Sequence, residues 1–219
     1  MKATAILLNY KREPNIRRII HALKLQTAEL RIVLVNNGAP YIPDSADDTP
    51  DEIFTMGHNV GPFARFLVAY AFDGWLYFQD DDVMPKDELF VEDFLTVAEQ
   101  HPRVMTGVFA REIHRQPPHY MHGDVPIIGE TTFAKTISMA MHRKALGNMR
   151  FPAGNVGRCD DLHAALEIGR GERVHWVDNR FSARLEQLDQ MNTGLCHEVQ
   201  HYTERDAYCG WWLRKEGLI

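Results

Sequence analysis

The chain has little besides a core to hold it together. Its three cysteines, Cys159, Cys196 and Cys209, are an odd number in no metal-finger spacing, which argues against a disulfide framework and suits a reducing compartment. No apolar run approaches the ~20 residues that span a bilayer. Strand-like residues begin at Ala3, leaving no room for a signal peptide, so no membrane segment and a cytoplasmic location are expected. Basic residues are not in excess either. Lys and Arg number 24 against 30 Asp and Glu, a net charge of -6, which argues against nucleic acid or anionic lipid as partners. Internal repeats, linkers and low-complexity stretches are lacking, so 219 residues with 45% apolar content are expected to fold as one domain, 1–219.

What is present alternates. "ATAILLNY" reads as a strand, and the stretch after it has Pro14 suited to a first helical turn and Ile16, Ile19, Ile20 and Leu23 at helical spacing. "LRIVLVNNG" is a second strand ending in a turn signal. Residues 39–52, with three prolines and many acids, read as a solvated loop. A helix over 61–73 carries Phe63, Phe66, Leu67 and Tyr70, "WLYFQ" is a strand, and a helix over 86–100 turns Phe90, Phe94 and Val97 inward. "RVMTGVFAR", "KTISMAMHRKAL" and "ERVHWVD" read as strands and "CDDLHAALEIG" as a helix, while 112–130, with His114, His119 and His122, resists assignment. Alternation of this kind predicts an α/β fold: a central, mostly parallel, twisted sheet with helices on both faces and ligands at the carboxyl ends of the strands.

At one such end stand Asp80, Asp81 and Asp82. Three like charges at the end of an apolar strand are costly unless the stretch is well solvated or something positive sits there. In an extended segment Asp80 and Asp82 point the same way and Asp81 points away. That spacing suits Mn²⁺ or Mg²⁺, hard cations held by one or two carboxylates with phosphate oxygens completing the shell. A solvated acidic turn is the alternative.

These residues, with Tyr10 and Arg12 after the first strand, Asn36 and Asn37 ending the second, and Asn59 before a helix containing Arg65, resemble a metal-dependent glycosyltransferase of the GT-A (Rossmann-like) fold. "HPRVMTGVFAR", "CDDLHAALEIG" and "HEVQHYTERDAYC" further resemble blocks of the exostosin-like retaining transferases, with Val108 departing from the phenylalanine expected after Gly107. The resemblance implies a nucleotide-binding half, 1–82, and an acceptor and catalytic half, 83–219. It implies a uridine diphosphate sugar as donor, a glycan or other hydroxyl acceptor, a hexosyl or N-acetylhexosaminyl group transferred, and retention at the anomeric carbon.

Roles for individual residues follow from the same resemblance. Asn36 and Asn37 face the base, an amide being able both to donate and to accept against uracil's mixed edge. Tyr10, Asn59 and Asp81 fall within the donor site, and Arg12 and Arg65 hold ribose or diphosphate oxygens. Asp80 and Asp82 hold the cation. Asp161 is the carboxylate near the reacting sugar carbon, His201 faces the diphosphate or its metal, and Arg205 reaches the leaving oxygen. Plain readings stand beside these: a turn for Asn36-Asn37-Gly38, a helix cap for Asp161, a helical surface stripe for His197, His201 and Arg205.

Three other activities are weighed. "HEVQH" has the zinc-protease pattern, but no histidine follows His201 to supply a third ligand. A nucleotidyltransferase predicts a glycine-rich amino-terminal loop, and "LLNYKREPN" has no glycine. A catalytically silent module that binds sugar nucleotides is the third.

Overall fold

The computed structural model describes residues 1–38, 40–120, 127–153, 156–189 and 199–219. Along the chain run β1 (Lys2–Asn9), α1 (Glu13–Lys24), β2 (Glu29–Asn37), β3 (Glu52–Met56), α2 (Ala64–Ala69), β4 (Trp75–Gln79), β5 (Val83–Pro85) and α3 (Phe90–Ala98). The second half adds β6 (Thr106–Gly107), β7 (Ala110–Arg111), β8 (Ile113–Arg115), β9 (Pro118–Tyr120), β10 (Ile128–Thr131), β11 (Phe133–Ala134), β12 (Ser138–His142) and α4 (Arg143–Leu146). It closes with α5 (Asp160–Gly169), β13 (His175–Asp178), a 3-10 turn, β14 (Leu185–Gln187) and α6 (Val199–Lys215).

Eight strands form one sheet in the order β10-β13-β6-β12-β4-β1-β2-β3. From β3 through β4 the pairs are parallel; β12 runs against both β4 and β6, β13 runs with β6, and β10 closes the edge antiparallel. The sheet is therefore mostly parallel, as the alternation of elements predicts.

Strand side chains alternate between two cores. Ile6, Leu8, Val33, Val35, Leu76 and Phe78 pack beneath α2, α5 and α6, while Ala5, Leu7, Ile32, Leu34 and Tyr77 pack beneath α1 and α3. Helix α1 lays Ile16, Ile19, Ile20 and Leu23 on the second core, each at most 1% exposed and each contributing roughly 2 kcal/mol of apolar burial. Helices thus cover both faces.

Several local expectations change. Helix α2 is shorter than 61–73, and Leu67 faces out at 45% exposure while Phe63 and Phe66 go in. The helix expected from Lys86 starts at Phe90, because the chain first pairs β5 with β14. Val97 is only partly buried, and Val91, Leu95 and Ala98 carry the inner face instead. The strand expected over 103–111 is split: β6 joins the main sheet and β7 pairs with β11. The strand at 135–146 ends at His142, whose ring accepts from Lys144 N and starts α4. Residues 40–50 are not simply solvated. Asp48 is buried, accepts from Asp44 N, Ser45 N, the Ser45 hydroxyl and Arg17, and leaves its carbonyl to the buried Tyr41 hydroxyl. Burial would raise the Asp48 carboxyl, yet the four donors hold it below the usual carboxylate range. Among the described residues no helix is long and apolar enough to cross a membrane.

Candidate active site

The carboxyl ends of β1, β2 and β4 lie side by side, with Asn9 in register with Asn36. The turn after β1 is tight: Lys11 is left-handed at φ 66°, and the next residues start α1 at once. This brings Arg12 back over the end of β4. Tyr10, half-buried, has the Lys11 ammonium 4.9 Å from its ring centroid.

The two asparagines do different things. Asn36 accepts from Asn9 Nδ2 at 3.1 Å. Asn37 donates to Asn59 Oδ1 at 2.8 Å and to the Gly61 carbonyl at 3.0 Å, and accepts from Val60 N. Both of its N–H groups and one lone pair are therefore used to seat the 59–61 turn. Gly38 passes this turn so closely that a Cβ would lie 2.7 Å from Asn59 N, and its φ of 80° suits glycine as well.

What faces the aspartates is arginine. Asp80 pairs with the Arg65 guanidinium, while Arg12 Nη1 lies 2.5 Å from Asp81 Oδ1 and 3.4 Å from Asp82 Oδ2. Arg12 and Arg65 are each only 6% exposed. The triplet has left strand geometry for a turn, so the alternation expected of an extended segment does not hold: Asp81 and Asp82 share one partner and Asp80 has another. Arg12 and Arg65, read from the sequence as phosphate contacts, are here counter-ions of carboxylates.

The ladder continues into the second half. Arg65 Nε lies 3.5 Å from Asp160 Oδ2, and Arg205 Nη2 donates to Asp161 Oδ1 at 2.6 Å while its Nη1 donates to the Arg158 carbonyl at 2.7 Å. Asp160 and Asp161 open α5, where acids also meet the positive end of the helix dipole. Sequence reading did not assign Asp160; its pairing depends on α2 and α5 meeting, for which the residues carry no local signal.

Within this ladder five carboxylates meet three guanidiniums. Burial raises Asp81 to about 7, with Asp80 and Asp82 pushing the same way against Arg12. Asp160 is likewise raised, by burial and by Asp161. Asp161 is buried too, but Arg205 holds it below the usual carboxylate range. His201, half-buried on α6, is lowered to about 4, first by burial and then by Arg205. It is a neutral imidazole at neutral pH. His197 lies outside the described residues.

A divalent cation fits the donor set. Asp80 and Asp82 supply hard oxygens at a partly exposed turn whose carboxylates outnumber the arginines beside them. Among the described residues no group of three or more His, Cys, Asp or Glu could hold a metal. A separate cleft of about 360 Å³ is lined by Glu112, His114, Arg115, Glu172 and Arg173; there Arg115 pairs with Glu172 and Arg173 with Glu112.

The family model for glycosyl transferase family 2 matches residues 4–164, from β1 through the start of α5. The chain belongs to glycosyl transferase family 2. The match takes in every residue of the ladder except Arg205. The fold is shared with the mannosyltransferase PcManGT from Pyrobaculum calidifontis, solved in complex with GDP-Man and Mn²⁺, at a TM-score of 0.58 and 15% identity over 81% of this chain and 56% of that one. It is shared also with TarS of S. aureus, at a TM-score of 0.57 and 15% identity over 81% of this chain and 35% of that one. This chain therefore spans about half and about a third of those two chains. Among curated protein sequences none matches it.

Proposed function

We propose that this glycosyltransferase moves a sugar from a nucleoside diphosphate donor to an acceptor hydroxyl, with a divalent cation, Mn²⁺ or Mg²⁺, at Asp80 and Asp82. The observation that carries the reading is the ladder Asp80–Arg65–Asp160, which sets the acidic turn beside the two carboxylates that open α5. The bound cation would neutralise the diphosphate as it leaves. The PcManGT complex with GDP-Man and Mn²⁺ supports both the donor class and the metal.

This chain's residues then divide the work. Tyr10 offers a ring face and Asn36 its amide N–H groups to the base; Asn37 and Asn59 shape the loop next to it. Carbonyl acceptors on uracil and on guanine would both suit such a donor. Uracil is the reading that the exostosin-like resemblance supports, and guanine is the base that PcManGT holds. Asp161 meets the reacting sugar. Arg205 is buried against it, so Arg205 acts through that carboxylate as a positioning residue.

In the transfer the acceptor oxygen bonds to the anomeric carbon, the bond from that carbon to the diphosphate oxygen breaks, and the hydroxyl proton must leave. If the departing diphosphate takes the proton and Asp161 supports positive charge on the sugar, configuration is retained, as the carboxyl-terminal resemblance implies. A second reading is favoured by Asp161 being ionised: the carboxylate takes the proton in a single displacement and configuration inverts.

The test is release of nucleoside diphosphate from UDP- and GDP-sugars, hexosyl and N-acetylhexosaminyl, with Mn²⁺ and a panel of hydroxyl acceptors. Proton NMR of the product reads the anomeric configuration. Asp82→Asn is expected to abolish transfer and Mn²⁺-dependent donor binding while thermal unfolding without metal is unchanged. Full activity in that variant would overturn the reading, and binding of donor without turnover on any acceptor would point to the silent module.

A further inference from the structure

The acidic turn is held from behind. Three of its carbonyls are taken by neighbouring donors: Asp81 O accepts from Asn15 Nδ2 at 2.8 Å, Asp82 O from Gln187 Nε2 at 2.8 Å and Leu188 N at 2.7 Å, and Val83 O from Gln79 Nε2 at 2.9 Å. The same Gln79 amide reaches the Ile137 carbonyl at 3.1 Å, to which Asp80 N also donates. Its Oε1 accepts from the Tyr77 hydroxyl, which lies 2.9 Å from Ser138 Oγ. Asn15 spends its second N–H on the Asp189 carbonyl at 2.7 Å.

Both amides are out of reach of a donor sugar. Gln79 is 0% and Asn15 3% exposed, and a buried primary amide costs free energy unless its hydrogen bonds are made. Each could be replaced by an apolar residue of similar volume without emptying the core. What such a residue cannot do is fix carbonyls. Helix α1 in particular grips Asp81 at both ends, with Arg12 on its carboxylate and Asn15 on its carbonyl, within one helical turn.

Adjacent carboxylates repel, and a free turn would splay them; Mg²⁺ and Mn²⁺ sites tolerate little spread in ligand position. We propose that Asn15 and Gln79 are positioning residues of the cation site, holding the backbone of Asp80–Val83 so that Asp80 and Asp82 are preorganised for the metal. The inference rests on the reading of those two aspartates as cation ligands.

It is tested by Gln79→Met and Asn15→Leu, similar in volume and without the donors, with Asn15→Ser as a milder variant that keeps one. Ile19→Val, an apolar change in the same core, is the stability control. Thermal unfolding in EDTA reports folding, calorimetry with Mn²⁺ in the presence of UDP or GDP reports the site, and transfer is followed against Mn²⁺ concentration. The variants are expected to fold, to bind Mn²⁺ with nucleoside diphosphate roughly ten-fold or more weakly, and to need correspondingly more Mn²⁺ for half-maximal rate. At saturating Mn²⁺ the rate should return to within about three-fold of the parent, as expected when the ligands themselves are intact. Ile19→Val should lose stability alone. If Gln79→Met or Asn15→Leu does not fold, Asn15→Ser decides. Wild-type Mn²⁺ affinity in the folded variants overturns the proposal, whatever their stability. Failure of the unaltered protein to bind Mn²⁺ with either nucleoside diphosphate overturns instead the reading of Asp80 and Asp82.

Discussion

Asp160 and Asp161 are neighbours with opposite electrostatic fates. Both are buried, but Asp161 receives a charge-assisted hydrogen bond from Arg205 while Asp160 has Arg65 at 3.5 Å and Asp161 beside it. Asp161 is therefore the one of the two that keeps its negative charge. Asp161→Asn is expected to lower turnover by roughly 10²–10⁴ while Mn²⁺-dependent nucleoside diphosphate binding stays within a few-fold, read by comparing kcat with calorimetry on the same protein. A loss of binding equal to the loss of rate would place Asp161 in the donor site instead. At this scale the sequence shows the charged residues, because three adjacent acids closing an apolar strand stand out, and Asp160 and Asp161 fall at the start of a helix where acids are ordinary. It does not show their partners. That Arg12 and Arg65 would face carboxylates, or that Gln79 and Asn15 would stand behind the turn, depends on elements meeting that are far apart in the chain.

Helix α5 ends under tight constraint. A Cβ on Gly169 would lie 2.5 Å from Nε2 of His175, whose ring is fully buried and placed by Met105 N at one nitrogen and the Ala165 carbonyl at the other. Gly169→Ala gains helix propensity but must displace that ring. It is expected to lose about 1–3 kcal/mol on balance, measured by urea unfolding, with the Mn²⁺ site unaffected. Elements were legible where one force dominates. The apolar runs of β1, β2 and β4 and the four-residue stripe of α1 leave one solution each. They were illegible where tertiary pairing chooses, as when β6 and β7 go to different sheets, β5 interrupts the run into α3, and β8 and β9 form a hairpin in a stretch without apolar periodicity.

For the whole molecule, acid is the condition that exposes the design. His175 and His201 are both lowered to about 4 by burial, whereas in the unfolded chain they titrate near 6.5. Between those values each of these imidazoles binds more protons in the unfolded chain, so its contribution to stability is full above 6.5 and is lost as pH falls toward 4, while the raised carboxyls of Asp81 and Asp160 contribute in the opposite sense. His175, fully buried, is expected to account for up to about 3 kcal/mol of that loss. Unfolding free energies measured by urea at several pH values, repeated on His175→Gln, should show the pH slope shrink in the variant; an unchanged slope would assign it to other groups. The last consequence comes from Arg65. Because one guanidinium serves a carboxylate after β4 and another at the start of α5, a fragment cut between β4 and β12 would strand Asp160 without its cation, and the severed sheet would bare β4 along its flank. The two pieces are committed to folding together, and an inserted sensor or a new chain terminus belongs on the outer loops, never at that seam.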